Sequence, residues 1–282
     1  MMKKIFRPRS LDELWRVKGE HPRATIMAGG TDLMVQLRKG VRPQPEILIS
    51  LSEIGQLQEV EESSEGFALG AAATHAGLLR NRLVTGKLPL LAAALEKIGS
   101  PQIRNRGTLG GNIVTASPAG DSLPALHLLE AEVELATGPE KTRRLPLAEF
   151  IIGPGRTGLA NQEILTRVII PRPPAESRWH FEKVGLRNAL AISVVSLAAL
   201  WQTGEDGRTI SKIALAWGSI GATVVRLPEV EDFLRGRLPN RETLTAAGRM
   251  VSGLVAPIDD LRASAAYRRQ VAGNLLLRLA AD

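Results

Sequence analysis

The chain of 282 residues contains no cysteine. That excludes disulfides, thiolate zinc sites, cysteine-ligated iron–sulfur clusters and a cysteine nucleophile. Aromatic residues are scarce, at 4%, too few for the stacking platforms on which proteins hold single-stranded bases. Long apolar runs are also missing, and no stretch approaches the ~18 residues of a membrane span. The opening Met1-Met2-Lys3-Lys4-Ile5-Phe6-Arg7-Pro8 has lysines but no apolar segment behind them, so it does not read as a secretory leader. With the lack of cysteine, this gives the expectation of a cytoplasmic chain. The four histidines, His21, His75, His127 and His180, show no metal-ligand spacing. There is no Gly-x-Ser-x-Gly elbow and no acid pair. Neither a metal site nor a catalytic side chain is expected.

What is present suits a globular protein. Apolar residues make up 44% and charged residues 23%, enough for sizeable cores, and the length suggests two domains or one with a sizeable appendage. Lysine and arginine total 36 against 29 acids, a net charge of +7. The basic residues are scattered rather than clustered, which argues against nucleic acid as the partner. A positive surface also suits an anionic dinucleotide or an acidic partner subunit.

Along the chain, Ser10-Leu11-Asp12-Glu13 reads as a capping box that opens a helix. Ala24–Met27 and Ile47–Ile49 read as buried strands, with a helix from Leu33 to Lys39 that stops at Gly40. An antiparallel pair is expected around Ser63–Gly66, and Thr74 should cap a short helix to Arg80. Pro89–Ile98 reads as a helix closed by Gly99. Ser100–Asp121 is polar and glycine-rich and shows no periodicity, so it reads as a long loop, either functional or disordered. Ser122–Leu129 reads as a helix, Val133–Leu135 and Ile164–Ile170 as strands, and Arg172-Pro173-Pro174-Ala175 as the domain boundary. Beyond it, Trp179–Lys183, Ala191–Gln202 and Lys212–Gly218 read as an antiparallel meander. Pro228–Leu234, Thr243–Val251 and Ala263–Ala280 read as helices.

Two segments suit a phosphate ligand. In Met27-Ala28-Gly29-Gly30-Thr31-Asp32-Leu33 a strand delivers two glycines ahead of a helix. Successive amides there form an anion nest that no Cβ obstructs. The plainer alternative is a tight turn with Asp32 as a cap. Thr108-Leu109-Gly110-Gly111-Asn112-Ile113-Val114 is a second Gly-Gly segment, and Asp121 follows it, either as an acceptor for ribose hydroxyls or as a helix cap. Gly153-Pro154-Gly155-Arg156-Thr157-Gly158 matches G-x-G-x-x-G, but the next element reads as a strand ending in prolines. It is therefore rejected as a dinucleotide fingerprint and read as a glycine-rich crossing. Lys183, at a strand end, reads as a solvated strand residue or as a cation placed to favour an anionic ligand.

The paired Ala28–Leu33 and Thr108–Asn112 segments resemble the flavin-binding loops of the FAD subunit of molybdenum hydroxylases, of the xanthine dehydrogenase and carbon monoxide dehydrogenase type. The likeness extends through Gly70-Ala71-Ala72-Ala73-Thr74, Ser100–Gly107, Gly153–Thr157, Glu163-Ile164-Leu165, Phe181-Glu182-Lys183 and Arg187. It implies an α+β chain. A two-part FAD-binding domain of the vanillyl-alcohol oxidase (PCMH-type) superfamily would span 1–174, with sub-domains of about 1–54 and 55–174. A C-terminal flavoprotein domain, an antiparallel sheet with helices, would span 175–282. It further implies that Met27, Ala28, Gly29, Gly30, Thr31, Asp32 and Leu33 hold the pyrophosphate, and that Thr74, Thr108, Gly110, Gly111 and Asn112 hold more of the dinucleotide. By the same likeness Ile103 and Val114 give apolar contacts, Asp121 takes ribose or adenine-side hydrogen bonds, Ile164 or Leu165 meets the adenosine, and Lys183 meets the isoalloxazine side.

FAD would be non-covalent, since no histidine is placed for attachment. Some relatives carry an extra iron–sulfur cluster in an inserted loop, which a cysteine-free chain does not hold in that way. Molybdopterin and 2Fe–2S clusters are then expected only on partner subunits, a molybdopterin-binding large one and an iron–sulfur small one, with NAD or another molecule as electron acceptor. The rival expectations are a self-sufficient flavin oxidase of the same superfamily and a nucleotide-binding module without catalysis.

Overall fold

The computed structural model describes residues 4–187 and 190–280. In chain order the elements begin with β1 (Lys4–Phe6), α1 (Leu11–Glu20), β2 (Thr25–Met27), α2 (Leu33–Arg38) and β3 (Ile47–Ser50). Next come β4 (Val60–Glu62), β5 (Gly66–Gly70), α3 (His75–Arg80), α4 (Arg82–Lys87), α5 (Pro89–Glu96), α6 (Pro101–Arg106), α7 (Leu109–Thr115) and α8 (Ser122–Leu128). They continue with β6 (Glu132–Ala136), β7 (Thr142–Pro146), α9 (Leu147–Phe150), β8 (Ile151–Gly153), β9 (Arg156–Thr157) and β10 (Ile164–Pro171). The last are β11 (Arg178–Gly185), β12 (Ser193–Thr203), β13 (Ile210–Gly218), α10 (Pro228–Leu234), α11 (Arg241–Leu254) and α12 (Ala265–Asn274). They divide into two compact units: residues 1–85, 100–116 and 130–172, and residues 86–99, 117–129 and 173–282.

The first unit holds two main sheets. One is parallel, in the order β1-β3-β2. Leu14 and Val17 of α1 join Ile49, Leu51, Ile54, Leu57, Ala72 and Ile164 in its core, and the capping box is real at its first step, Ser10 Oγ accepting from the Glu13 amide at 3.2 Å. The other sheet is antiparallel, in the order β4-β5-β10-β6-β7. Its central β10 buries both faces, which is why Ile164–Pro171 is a nearly unbroken apolar run instead of an alternating one. The segment Gly153–Thr157 is the turn of a β8–β9 hairpin with Gly155 at φ +67°, in keeping with its rejection as a nucleotide fingerprint.

The second unit is built on the meander β11-β12-β13. Its two faces differ by side-chain size. Val195, Leu197, Ile213, Leu215 and Trp217 share one core with Val230 and Leu234 of α10, Leu244, Ala247 and Val251 of α11, and Ala272 of α12. The intervening Ser196, Ala198, Ala216 and Gly218 are small, which lets α8 pack close. A Cβ on Gly218 would stand 3.1 Å from Pro124. Trp217 Nε1–H donates to the Ala272 carbonyl at 3.1 Å, so the largest core side chain also meets its polar need.

Two expectations are corrected. Ser100–Asp121 is not one long loop, because it contains α6 and α7. Each is a short helix under its own N-cap: Ser100 Oγ accepts from Ile103 N at 3.2 Å and Thr108 Oγ1 from Gly111 N at 3.1 Å. At six and seven residues, neither completes enough turns for a periodicity to show. In turn, Ala263–Ala280 is α12 followed by a tighter 3-10 stretch, Leu275–Leu279, and not one helix.

Candidate cofactor-binding site

In the first unit, β2 ends at Met27 and the chain turns through Ala28–Asp32 into α2. Gly30 takes φ +74°, a conformation open to glycine at little cost. Among the described residues, no protein acceptor takes the amides of Ala28, Gly29, Gly30, Thr31 or Asp32. Five consecutive N–H groups without a protein acceptor are open to an anionic ligand. Asp32 occupies the N-cap position but does not cap. Its carboxylate instead accepts from Gln36 Nε2 at 2.5 Å and from the Thr115 hydroxyl at 3.0 Å, tying the start of α2 to the end of α7.

The second Gly-Gly segment is built the opposite way. The Leu109 amide donates to Ala73 O, Gly110 to Ala71 O, Gly111 to Thr108 Oγ1 and Asn112 to Thr108 O. Thr74 and Thr108 face each other across a short antiparallel bridge, and each caps a helix. Gly110 serves internal packing: its missing Cβ would meet the Ala71 Cβ and carbonyl at 2.7 Å. Gly29 links the two segments, since a Cβ on it would run into the Arg106 carbonyl oxygen and come within 2.9 Å of Gly107 Cα.

His75 lies beneath this junction. Its amide donates to Gly107 O at 3.0 Å, its ring meets the space beside Gly107 Cα, and its buried Nδ1 has no hydrogen-bond partner. Burial, assisted by Arg104, lowers its pKa to about 4, so at neutral pH the ring is uncharged.

The other expected residues divide by exposure. Ile103 is 38% exposed and Val114 half-buried, while Ile113 points into the core. Both Ile103 and Val114 thus offer apolar surface. Ile164 and Leu165 are 3% and 4% exposed, so their backbone is the part left to meet a ligand.

Asp121 and Lys183 both belong to the second unit. Lys183 is not solvated. It donates to Asp121 Oδ2 at 2.6 Å and to the Lys97 carbonyl at 2.9 Å, and both side chains of the ion pair are 8% exposed. Asp121 stands at the head of α8 without capping it. Desolvation raises its carboxyl pKa to about 6 against the pull of Lys183, and its Oδ1 is buried without a partner. Nothing in the linear sequence signals this pair, whose members stand 62 positions apart. The role of Arg106 as the surface against Gly29 was equally hidden, because a carbonyl supplies it.

A strand-to-helix turn that leaves consecutive amides without a protein acceptor suits the phosphates of a dinucleotide. Residues 1–173 match the family described as the FAD binding domain in molybdopterin dehydrogenase, and residues 179–282 match the carbon monoxide dehydrogenase flavoprotein C-terminal domain. The chain belongs to this family of FAD-binding oxidoreductase subunits. It is 30% identical to the nicotinate dehydrogenase FAD-subunit of Eubacterium barkeri, over 99% of this chain and 95% of that one. It is also 30% identical to the xanthine dehydrogenase FAD-binding subunit of Escherichia coli O157:H7, over 93% and 89%. The solved carbon monoxide dehydrogenase of Hydrogenophaga pseudoflava contains a chain of the same fold, with TM-score 0.89, 28% identity, and 99% and 96% of the two chains covered. The residues present fit the dinucleotide: the unsatisfied amides of Ala28–Asp32 match a pyrophosphate, and Ile103 and Val114 supply apolar surface.

Proposed function

We propose that the chain is the flavin-bearing electron outlet of a molybdopterin-dependent hydroxylase. It would receive electrons from the iron–sulfur clusters of one partner subunit and deliver them to NAD or another acceptor, while a second partner with molybdopterin oxidises the substrate. The observation that carries this reading is the run of five amides at Ala28–Asp32 with no acceptor in the protein. FAD would supply the one- and two-electron chemistry that the side chains of a chain without cysteine do not. The chain's own part is binding and electrostatics. The Met27–Leu33 backbone would hold the pyrophosphate. Thr74, Thr108, Gly111 and Asn112 shape the neighbouring wall, and Gly110 lets that wall close on Ala71. Asp121 and Lys183 are proposed for the ribose side and the isoalloxazine side, with FAD held non-covalently. The two domains are proposed as residues 1–174 and 175–282, and the first as a member of the vanillyl-alcohol oxidase (PCMH-type) superfamily.

The test is an absorption spectrum of the purified chain before and after denaturation, with the released chromophore identified by chromatography. Intact FAD in the soluble fraction is the expected result. A colourless chain that takes up no added FAD, alone or with its partner subunits, overturns the reading.

A further inference from the structure

The second unit contains a buried cation to which the proposed function gives no part. Arg268 of α12 is 3% exposed. Its Nη1 donates to the carbonyls of Val194 at 2.7 Å and Ser219 at 2.8 Å, and its Nη2 to Asp260 Oδ1 at 2.7 Å. Its Nε is buried without a partner. A buried ion pair with an unmet donor is a weak source of stability, since apolar side chains of similar volume often do as well or better. What the guanidinium supplies is geometry, a planar fork that holds three segments at fixed distances.

Two of those segments lead to Asp121 and Lys183. Lys183 of β11 stands opposite Ser196 of β12, and Ser196 opposite Gly218 of β13, in one row across the sheet. Val194 lies two residues before Ser196, and Ser219 follows Gly218. Ser219 takes φ +67°, a left-handed conformation that strains a residue with a Cβ. It is held there from both sides: its amide donates to Pro118 O at 2.9 Å, and its carbonyl accepts from Arg268. Pro118 belongs to the turn that the Gly120 amide closes on Ser117 O, and Asp121 is the next residue. There is no slack between this row and α8. A Cβ on Gly218 would stand 2.5 Å from Ser196 Oγ and 3.1 Å from Pro124 Cγ. In packing this close, a shift at the end of β13 passes on to the head of α8, where Asp121 stands. The far arm of the fork is fixed as well, because Asp260 also accepts from the amides of Arg262 at 2.7 Å and Ala263 at 3.2 Å.

We propose that Arg268 is a positioning residue for the Asp121–Lys183 pair: by pinning Val194 and the strained turn at Ser219, it sets where the carboxyl and the ammonium stand toward the cofactor. Arg268 acts through the end of the sheet and not by contact with the ligand. The inference rests on the proposed function, which gives that pair to FAD.

The experiment is a double-mutant cycle read in FAD affinity. Arg268→Lys keeps the charge and loses the fork. Asp121→Asn/Lys183→Met removes the ion pair with side chains of similar size. FAD dissociation constants are measured for the wild type, each variant and their combination, in the full chain or, where that chain alone binds none, in the assembled complex. Urea unfolding of the FAD-free proteins reads stability separately, and Val251→Ala, a truncation of a buried α11 residue, is the control. Arg268→Lys should weaken FAD binding by on the order of tenfold, and by less than about twofold once the pair is gone. Val251→Ala should lose stability and keep its FAD affinity. An equal loss in both backgrounds or in the control makes Arg268 a support of the fold alone and overturns the proposal, as does unchanged affinity in Arg268→Lys. If removing the pair leaves FAD affinity unaltered, the cofactor role of Asp121 and Lys183 falls, and the proposal with it. A chain and complex that bind no FAD at all sink the functional reading instead. Should Arg268→Lys not fold, Asp260→Ala takes its place in the cycle, since it frees one arm of the fork and leaves Arg268 in the core, and it should show the same dependence on the pair.

Discussion

The two Gly-Gly segments look interchangeable as sequence and are opposites as structure. At Ala28–Asp32 five amides have no acceptor in the protein, whereas at Leu109–Asn112 all four donate within it. The first segment leaves its amides open, and the second uses its own to hold the chain together. Gly29 makes the first depend on the second, because its bare Cα packs against the Arg106 carbonyl that leads into Thr108. A glycine pair reports only that a backbone passes close to something. Whether that is a ligand or another stretch of chain depends on where the amides point.

The strongest way to break this comparison is at Gly29. Gly29→Val puts a side chain into main chain that has no rotamer with which to yield, and it should destabilise the chain by on the order of 3 kcal/mol or more. Gly110→Ala meets Ala71 at 2.7 Å and should cost about 1–3 kcal/mol. Gly30→Ala meets only the flexible Met27 and Met34 side chains and pays mainly for its φ of +74°, about 1–2 kcal/mol. Urea unfolding of the FAD-free chains should rank them in that order. Equal losses at Gly29 and Gly30 would show that the two segments do not lean on each other.

A smaller effect sharpens the same contrast. Thr108→Val removes the oxygen that accepts from Gly111 N and should cost about 1 kcal/mol with or without FAD. Its cost belongs to the support, so the stabilisation that added FAD gives should be unchanged. A variant that loses FAD affinity yet keeps wild-type stability in its absence would make Thr108 a ligand contact instead.

Much of this was legible in the sequence. Two of the meander's strands, β12 and β13, are apolar stretches of strand length, and β12 reads as buried because Ser193–Leu200 has no polar alternation. The caps Ser10 and Thr74 sit where the hydrophobic pattern begins. What stayed hidden has one physical origin: partners far apart in the chain. Short helices under Ser100 and Thr108 lack the turns to show a period. The Asp121–Lys183 pair and the Asp32–Thr115 bond join positions that local pattern does not connect. The use of the Gly110 amide depends on Ala71, a residue with no chemical signature at all.

The gentlest probe is pH, through His75 under the support. Its pKa falls from the ordinary 6.5 to about 4 on folding, so the unfolded chain binds the proton more readily between those values. The stability it contributes is complete above about 6.5 and is lost as pH falls toward 4. His127, also lowered to about 4 by burial and by Arg226, acts in the same direction. Asp121 acts in the opposite one. Its pKa rises from 3.8 to about 6, so the folded state holds its proton more tightly, and its contribution is complete below about 3.8 and fades as pH rises through 6. Two histidines against one carboxyl leave a chain that loses stability from pH 6.5 down to 4. Asp121→Asn should make that loss steeper and His75→Gln should make it shallower, each followed by denaturant midpoint across the range. If His75→Gln leaves the slope unchanged, the ring is not held neutral beneath Gly107, and the support is softer than its hydrogen bonds imply.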